Sequence, residues 1–291
     1  MIENKAIPSD NDEHWNIVIQ PKANLFDLNI KDVWHYRDLL FLFVKRDITA
    51  QYKQTVLGPL WHFIQPIFTT IVFLMVFGTI ANIPTNGIEP VLFYMSGITI
   101  WNYFSSCLNA TSGTFVANSG IFGKVYFPRL VIPISTVMSN MVKFVIQFAL
   151  LLAVMFYFGF KNQSFYIGFS WLLIPVLVVM MAALGLGLGI IISSLTTKYR
   201  DFTVLIGFAV QLLMYATPIA YPLSYIKNGT LLKLITYNPL TPIVEAFRFA
   251  LFGKGELHAS HLLYSGSFIV IVLFVGLLIF SKVERTFMDT V

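Results

Sequence analysis

Six long apolar segments cross this chain of 291 residues, and none of them contains an aspartate or a glutamate. Each is about 19 to 29 residues long, and a helix rising about 1.5 Å per residue needs about 20 residues to cross a hydrocarbon layer of about 30 Å. The sequence therefore predicts an integral membrane protein. The six predicted spans are 59–80, 91–116, 133–158, 167–195, 202–223 and 262–280.

The composition excludes several classes of function. Only 11% of the residues are charged, against about 25% in soluble domains. Carboxylates inside a bilayer usually mark proton or cation sites, so spans without them lack the usual machinery of an ion-coupled pump. The sequence also has no G-x-x-x-x-G-K-[ST] loop for a nucleotide triphosphate. Energy for uphill transport would have to come from a partner protein.

The basic residues predict the topology. Seven of the 19 lysines and arginines precede the first span, and others follow spans two, four and six. The positive-inside rule then places both termini in the cytoplasm. We interpret the net charge of +5 as topology and attraction to membrane lipids, and we expect no nucleic-acid partner. The residues after the even-numbered spans are Lys124, Arg129, Lys198, Arg200, Lys282 and Arg285.

The segment 29–56 has the pattern of an amphipathic helix that lies in the membrane interface. Arg37 and Asp47 interrupt the apolar side. Two interpretations stay open: a simple anchor, or a belt helix that guards a lateral or cytoplasmic entrance. The apolar side carries Val33, Tyr36, Leu40, Val44 and Ile48, and the polar side carries His35, Asp38, Lys45, Arg46 and Lys53.

The stretch after the fifth span predicts a lid on the extracytoplasmic side. Pro239 and Pro242 precede the apolar segment 243–252, which is too short to span a membrane and is typical of a re-entrant helix. Two short gate helices are expected within about 222–252. Glu245 and Arg248 are three residues apart and can pair on one face; we favour a structural pair over a gate charge that contacts substrate. The candidate gate residues are Pro218, Tyr221, Asn238, Pro239, Glu245 and Arg248.

Uncharged polar residues recur at helical spacing in the first three spans. They indicate either hydrogen bonds between helices or a pathway for a hydroxyl-rich solute. Lys143 needs water or a partner inside its span, or it reaches the interface by its flexible stem. The glycines of 185–189 indicate close helix packing. The candidate channel-lining residues are His62, Gln65, Asn102, Asn109, Asn140, Lys143 and Gln147.

Four runs of sequence resemble one family, in the same order along the chain. They are RDITAQYKQTVLGPLW at 46–61 with QP at 65–66, GKVYFPR at 123–129, TPIAYP at 217–222, and YNPLTPIVEAFR at 237–248. Together they resemble the ABC-2 type permeases that export polysaccharides such as O-antigen, capsule and teichoic acid. The likeness extends over nearly everything after about residue 27.

The resemblance implies an all-α membrane protein with six transmembrane helices, an N-terminal interfacial helix and re-entrant gate helices. The expected domains are a cytoplasmic tail (1–28), the amphipathic interfacial helix (29–56) and the six-helix domain (57–291). It also implies a homodimer in the bacterial inner membrane, with one ATPase subunit on each protomer. No cofactor is expected in this chain, since ATP and magnesium would belong to that partner. The expected cargo is a polysaccharide on a lipid such as undecaprenyl diphosphate, with O-antigen preferred.

The same resemblance assigns ATPase coupling to two cytoplasmic loops. A coupling helix is expected within 118–129, and replacing Tyr126, Phe127 or Arg129 is expected to uncouple ATP hydrolysis from export or to loosen ATPase binding, while the permease still inserts. Two alternatives stay open for the whole chain: an ABC-2 permease for drugs or lipids, and a membrane-embedded polyprenyl-sugar transferase. The transferase is disfavoured because Glu89 and Asp201 have no clustered acid or histidine in the sequence. The assigned coupling residues are Lys124, Tyr126, Phe127, Pro128, Arg129, Tyr199, Arg200 and Asp201.

Overall fold

The fold is a helical bundle, seen in a computed structural model. It describes residues 30–53, 55–122, 124–125, 127–162, 166, 168–197, 199, 201–255 and 257–290. Every regular element in those ranges is a helix. The predicted N-terminal tail 1–28 lies outside them, and so do two of the predicted coupling residues, Tyr126 and Arg200.

Twelve α-helices follow one another in the described ranges, joined by short turns. A 3-10 turn, Gly58–Leu60, precedes the third helix, and a π-helix, Leu74–Ile80, continues that helix; further 3-10 turns are Phe169–Leu172 and Leu223–Tyr225. The helices are α1 (Ile30–His35), α2 (Arg37–Tyr52), α3 (Trp61–Phe73), α4 (Pro90–Ser112), α5 (Thr114–Ala117), α6 (Ser119–Phe122), α7 (Val131–Asn162), α8 (Leu173–Thr196), α9 (Phe202–Tyr215), α10 (Gly229–Thr236), α11 (Leu240–Phe252) and α12 (Ala259–Thr290).

Four helical segments are long and apolar enough to cross a membrane: Gly58–Ile80, Val131–Lys161, Phe169–Thr196 and Ala259–Glu284. They correspond to predicted spans one, three, four and six. Helix α4 has 23 residues, but its serines, threonines and asparagines lower its hydropathy. Helix α9 is a shorter apolar helix. The chain is therefore a multi-pass membrane protein, while the count of six spans stays a prediction.

Two helices end before the predicted boundary of their span. The predicted fifth span extends to 223, whereas α9 ends at Tyr215. Pro218 explains this, since a proline disfavours helical backbone at the residue before it and has no N–H to continue the ladder. The predicted second span extends to 116, whereas α4 ends at Ser112 and Gly113 separates it from α5.

Helix α4 lies at the centre of the bundle and packs against α3, α7, α8 and α11. Glycines let α8 approach it closely: a Cβ at Gly185 would lie 2.8 Å from Cys107 Cβ, and one at Gly189 would lie 1.6 Å from Thr111 Oγ1. On the other side of α8, Gly187 faces Val272 of α12. The predicted role of the 185–189 run in close helix packing is confirmed.

Hydrogen bonds between helices identify the two ends of the bundle. At one end, Thr196 Oγ1 donates to Ser112 O at 3.0 Å, which joins the last turns of α8 and α4. At the other end, Ser170 Oγ donates to Ala250 O at 3.1 Å, next to the start of α8. We call the first the α5–α6 end (the described residues of 113–130 and 197–201) and the second the α10–α11 end (the described residues of 81–89 and 216–258).

The first two helices pack on the α5–α6 end. The segment predicted as one helix, 29–56, is broken at Tyr36 and ends at Tyr52. Val33, Leu40 and Phe43 are buried in an apolar cluster with residues of α5 to α7 and α12, while Trp34 is exposed. The place of these helices in the membrane interface stays a prediction.

Candidate functional site

The α10–α11 end is organised around Arg248, which is only 1% exposed. Its Nη1 donates to Pro218 O at 2.6 Å, and its Nη2 donates to Ile219 O at 2.7 Å. Hydrogen bonds from a cation are shorter and about twice as strong as neutral ones. Arg248 therefore fixes α11 to the irregular chain that follows α9, where Pro218 leaves carbonyl groups without helical partners.

Two further groups surround the guanidinium. The Glu245 carboxylate, 14% exposed, lies 3.4 Å from Nη1, and the Phe93 ring lies beneath Cζ at 3.7 Å from its centroid. An aromatic face attracts a cation, most strongly where water is excluded. The predicted Glu245–Arg248 pair is thus present, with Arg248 buried between α4, α11 and the 218–219 backbone and Glu245 partly exposed.

Asn238 makes a second connection at this end. Its Nδ2 donates to Ala216 O and Thr217 Oγ1, both at 3.1 Å, while its Oδ1 accepts from Leu240 N at 3.1 Å. One amide therefore ties the end of α9 to the start of α11, which begins after Pro239. Tyr221 Oη donates to Tyr215 O at 2.9 Å and closes the same turn.

The predicted coupling loop at the α5–α6 end has an inner and an outer side. Phe127 is buried, with its ring centroid 5.7 Å from that of Phe43. Arg129 Nη1 donates to Glu284 O of α12 at 2.5 Å. Burial lowers the pKa of the Arg129 guanidinium, and the Glu284 carboxylate opposes that shift. Both side chains therefore anchor the loop to the bundle.

Other residues of the two predicted coupling loops face outward. Lys124 is exposed, and Val125 is 58% exposed. Tyr199 and Asp201, in the loop between α8 and α9, are also exposed. Pro128 is partly buried between Phe127 and Arg129. The structure thus leaves Lys124 and its neighbour Val125, together with Tyr199 and Asp201 of the second loop, accessible to another protein.

The polar residues of spans two and three meet at the contact between α4 and α7. Asn102 Nδ2 donates to Gln147 Oε1 at 3.3 Å. Asn140 Nδ2 donates to Ser106 O at 3.4 Å and to Thr136 O at 3.1 Å. These contacts hold two helices together, which is one of the two interpretations of the polar pattern; a role in lining a channel stays a prediction.

The remaining candidate channel residues lie elsewhere. His62 Nε2 lies 3.4 Å from Gln51 Nε2, so α3 and α2 meet there. Lys143 is close enough to His62, Cys107 and Asp47 to interact electrostatically with each of them. Gln65 and Asn109 are exposed on the surface of the bundle.

Sequence reasoning missed three partners of the predicted residues. Phe93 and Gly97 belong to the predicted second span, and Glu284 lies beyond the sixth. A glycine inside an apolar helix is a signal of close approach, and Gly97 carries that signal. Nothing in the sequence pairs Glu284 with Arg129, which is 155 positions away.

Comparison with known proteins relates the chain to transport proteins. Residues 38–252 match the family model described as ABC-2 type transporter. The chain is 30% identical over 255 residues to an O-antigen export system permease protein RfbA of Klebsiella pneumoniae, covering 87% of this chain and 94% of that protein.

More distant relatives are also named for polysaccharide transport. An O-antigen export system permease protein RfbA of Myxococcus xanthus is 26% identical over 266 residues, covering 90% of this chain and 98% of that protein. A polysialic acid transport protein KpsM of Escherichia coli is 25% identical over 254 residues, covering 87% of this chain and 95% of that protein.

Proposed function

Since the chain belongs to the ABC-2 type transporter family, we propose that it is the membrane permease subunit of an ATP-driven exporter of polysaccharide. Two copies form the passage across the bacterial inner membrane, and each binds one separate ATPase subunit. The cargo is a lipid-linked polysaccharide, with O-antigen preferred over capsule. Both termini are cytoplasmic.

The observation that carries this proposal is the similarity over nearly the full length of a permease named for O-antigen export. A short shared motif would support only the fold. Here the similarity extends over 94% of that relative, which supports a shared architecture and a shared role in transport. The relatives named for capsule or polysialic acid are less similar, at 25% identity or below, which favours O-antigen.

The α5–α6 end supports the proposed role in coupling. Lys124 and Val125 face outward, whereas Phe127 and Arg129 hold the same loop against α2 and α12. In our proposal the exposed residues, Lys124 and Val125, form the tip of the loop, and the buried ones, Phe127 and Arg129, form its base. Movement of a protein bound at the tip is transmitted to the bundle through the base. We assign the ATPase contact to the tip, together with Tyr199 and Asp201, and the transmission of movement to the base.

The α10–α11 end supports the proposed role of a gate. Helices of 8 and 13 residues are too short to span a bilayer. Arg248 and Asn238 tie them to the chain after α9 by hydrogen bonds to backbone. Opening the gate would move these two helices as one body with the 216–219 segment.

Deletion of the gene tests this function. In the organism that carries the chain, loss of the permease is expected to remove O-antigen from the cell surface while lipid-linked polysaccharide accumulates inside. A plasmid copy restores the surface polymer, and an affinity tag on that copy retrieves an ATPase subunit. Normal surface polysaccharide in the deletion strain would contradict the proposal, as would a tagged chain that retrieves no ATPase.

A further inference from the structure

A cavity of about 420 Å³ opens at the α10–α11 end, outside the hydrogen bonds of Arg248. Small-molecule sites usually have volumes of roughly 300–1,000 Å³. Its walls come from the loop before α4, the turn before α10, helices α10 and α11, and the start of α12. Lys254 Nζ donates to Gly87 O, which ties the chain after α11 to the loop before α4.

The polar groups of the cavity suit a ligand with hydroxyl groups. Ser224 Oγ donates to Asn86 Oδ1 at 2.9 Å, which leaves the two N–H donors of that amide to face other groups. Thr241 is 1% exposed, and its hydroxyl has no hydrogen-bond partner among the described residues. Because the Thr241 hydroxyl is buried, the exposed amide of Asn86 is the group that meets a ligand hydroxyl.

The other side of the cavity offers ring faces and apolar surface. The rings of His258 and His261 lie 5.1 Å apart at an angle of 77°. Leu232 and Pro242 add apolar wall. A sugar ring has one face of C–H groups that packs on flat or apolar surfaces and an edge of hydroxyls that needs donors and acceptors. The cavity presents both kinds of surface.

The charges of the cavity disfavour an anion. Glu245 lines it, and its carboxylate would repel a phosphate or an acidic sugar. The described lining residues include no lysine or arginine, and Arg248 is turned toward backbone carbonyls. Among the residues that the structure describes, no three His, Cys, Asp or Glu side chains converge as metal ligands would.

We propose that this cavity binds a neutral saccharide unit of the polysaccharide as it leaves through the α10–α11 end. The inference rests on the proposed function, because the exported polymer is the source of the saccharide. Binding beside α11 would keep the emerging polymer from moving back into the passage while the gate helices close.

Ligand-observed NMR tests the site. The full chain in lipid nanodiscs is mixed with methyl α-mannopyranoside, methyl β-galactopyranoside or N-acetylglucosamine, with N-acetylneuraminate as an anionic comparison. Saturation transfer to the ring protons of at least one neutral sugar is expected. No transfer to any of the three at concentrations up to tens of millimolar would overturn the proposal, and so would stronger transfer to the anionic sugar.

Three variants locate the binding. Thr236→Phe fills the cavity, whereas Ser224→Ala and His261→Ala each remove one contact. We expect the first to abolish transfer and the others to weaken binding about tenfold, the loss that corresponds to about 1.4 kcal/mol. If Thr236→Phe fails to insert, the other two decide. Ser119→Ala, at the α5–α6 end, is the matched control. Transfer that survives all the cavity variants would overturn the site.

Export measured in cells separates the two proposals. If the wild-type chain binds neutral sugar but its deletion leaves surface polysaccharide unchanged, the proposed function fails and the site stands. If deletion removes the surface polymer but the purified chain binds no neutral sugar, the site fails and the proposed function stands.

Discussion

Gly97 of α4 and Arg248 of α11 are in such close contact that a Cβ at Gly97 would lie 2.7 Å from Nη2 of Arg248. The same Cβ would lie 3.2 Å from Ile219 O, the carbonyl that accepts from Nη2. The guanidinium therefore fits beside α4 because residue 97 has no side chain. This contact fixes how closely α11 approaches the centre of the bundle.

Replacing Gly97 with alanine is expected to destabilise the protein. The new methyl group has to displace Arg248 or the 219 backbone, and overpacking of this kind costs about 1–3 kcal/mol. Thermal melting in detergent should show a lower midpoint. Gly207→Ala on α9 is the matched control, since a Cβ there meets nothing within 4 Å. Equal midpoints for the two variants would show that the predicted crowding is absent.

Arg248→Met is expected to lower the stability of the α10–α11 end severely. It leaves two backbone carbonyls without their donor and Glu245 without its cation, and breaking a buried ionic contact costs about 3–5 kcal/mol. Arg248→Lys should recover only part of this loss, because an ammonium lacks the planar fork that reaches both carbonyls. Protease sensitivity of 216–239 and the melting midpoint measure both effects.

The control for that experiment is Arg37→Met, whose side chain is exposed beside Asp38. It should melt close to the wild type, because exposed ion pairs contribute about 0–1 kcal/mol. Full stability of Arg248→Met, or full rescue by lysine, would argue against the network described here.

Lys124→Glu is expected to weaken ATPase binding without lowering the melting midpoint. Lys124 is exposed at the tip of the loop, so reversing its charge changes only the surface that the partner meets. Co-purification of the ATPase with a tagged permease gives the measurement. Lys161→Glu, exposed at the other end of α7, serves as the control. Undiminished co-purification of Lys124→Glu would remove this residue from the contact.

Phe127→Ala should behave differently from Lys124→Glu. Phe127 packs between Phe43 and Phe122, and truncation of a buried phenylalanine costs about 3–5 kcal/mol. We expect a lower melting midpoint together with uncoupled ATP hydrolysis. A variant that uncouples at unchanged stability would place Phe127 in direct contact with the ATPase.

A double-mutant cycle tests the contact between α4 and α7. The double variant of Asn102→Ala and Gln147→Ala should lose less free energy of unfolding than the two single variants lose in sum. Each single change already removes the one hydrogen bond between these side chains, so we expect a coupling energy of about 0.5–1.5 kcal/mol. Asn109→Ala is the control, since it is exposed and should add independently to Gln147→Ala. Strict additivity of the first pair would leave the channel-lining interpretation as the better one.

The sequence predicted those features that depend on local pattern. The four confirmed long apolar helices follow from the hydropathy of the sequence, and the close packing of 185–189 follows from a run of glycines. The Glu245–Arg248 pair was also predicted, because its members are one helical turn apart. The contacts between distant segments were not predictable: Phe93 and Gly97 meet Arg248, and Glu284 meets Arg129, only through the packing of separate helices.

The exposure of individual residues in the coupling loop could not be predicted from the sequence either. The loop GKVYFPR carries its residues in one short run, and no periodicity separates those that face a partner from those that face the bundle. Tertiary packing places Lys124 outside and Phe127 inside, which divides one predicted coupling motif into a contact surface and an anchor.

Reconstituted transport tests the central claim most directly. Proteoliposomes that contain this chain and its ATPase are loaded with labelled lipid-linked O-antigen, and transfer of the label across the bilayer is followed after ATP is added. We predict ATP-dependent transfer that requires both proteins and ceases when either is omitted. Transfer at the same rate by this chain alone, or none with both proteins present and ATP being hydrolysed, would contradict the account.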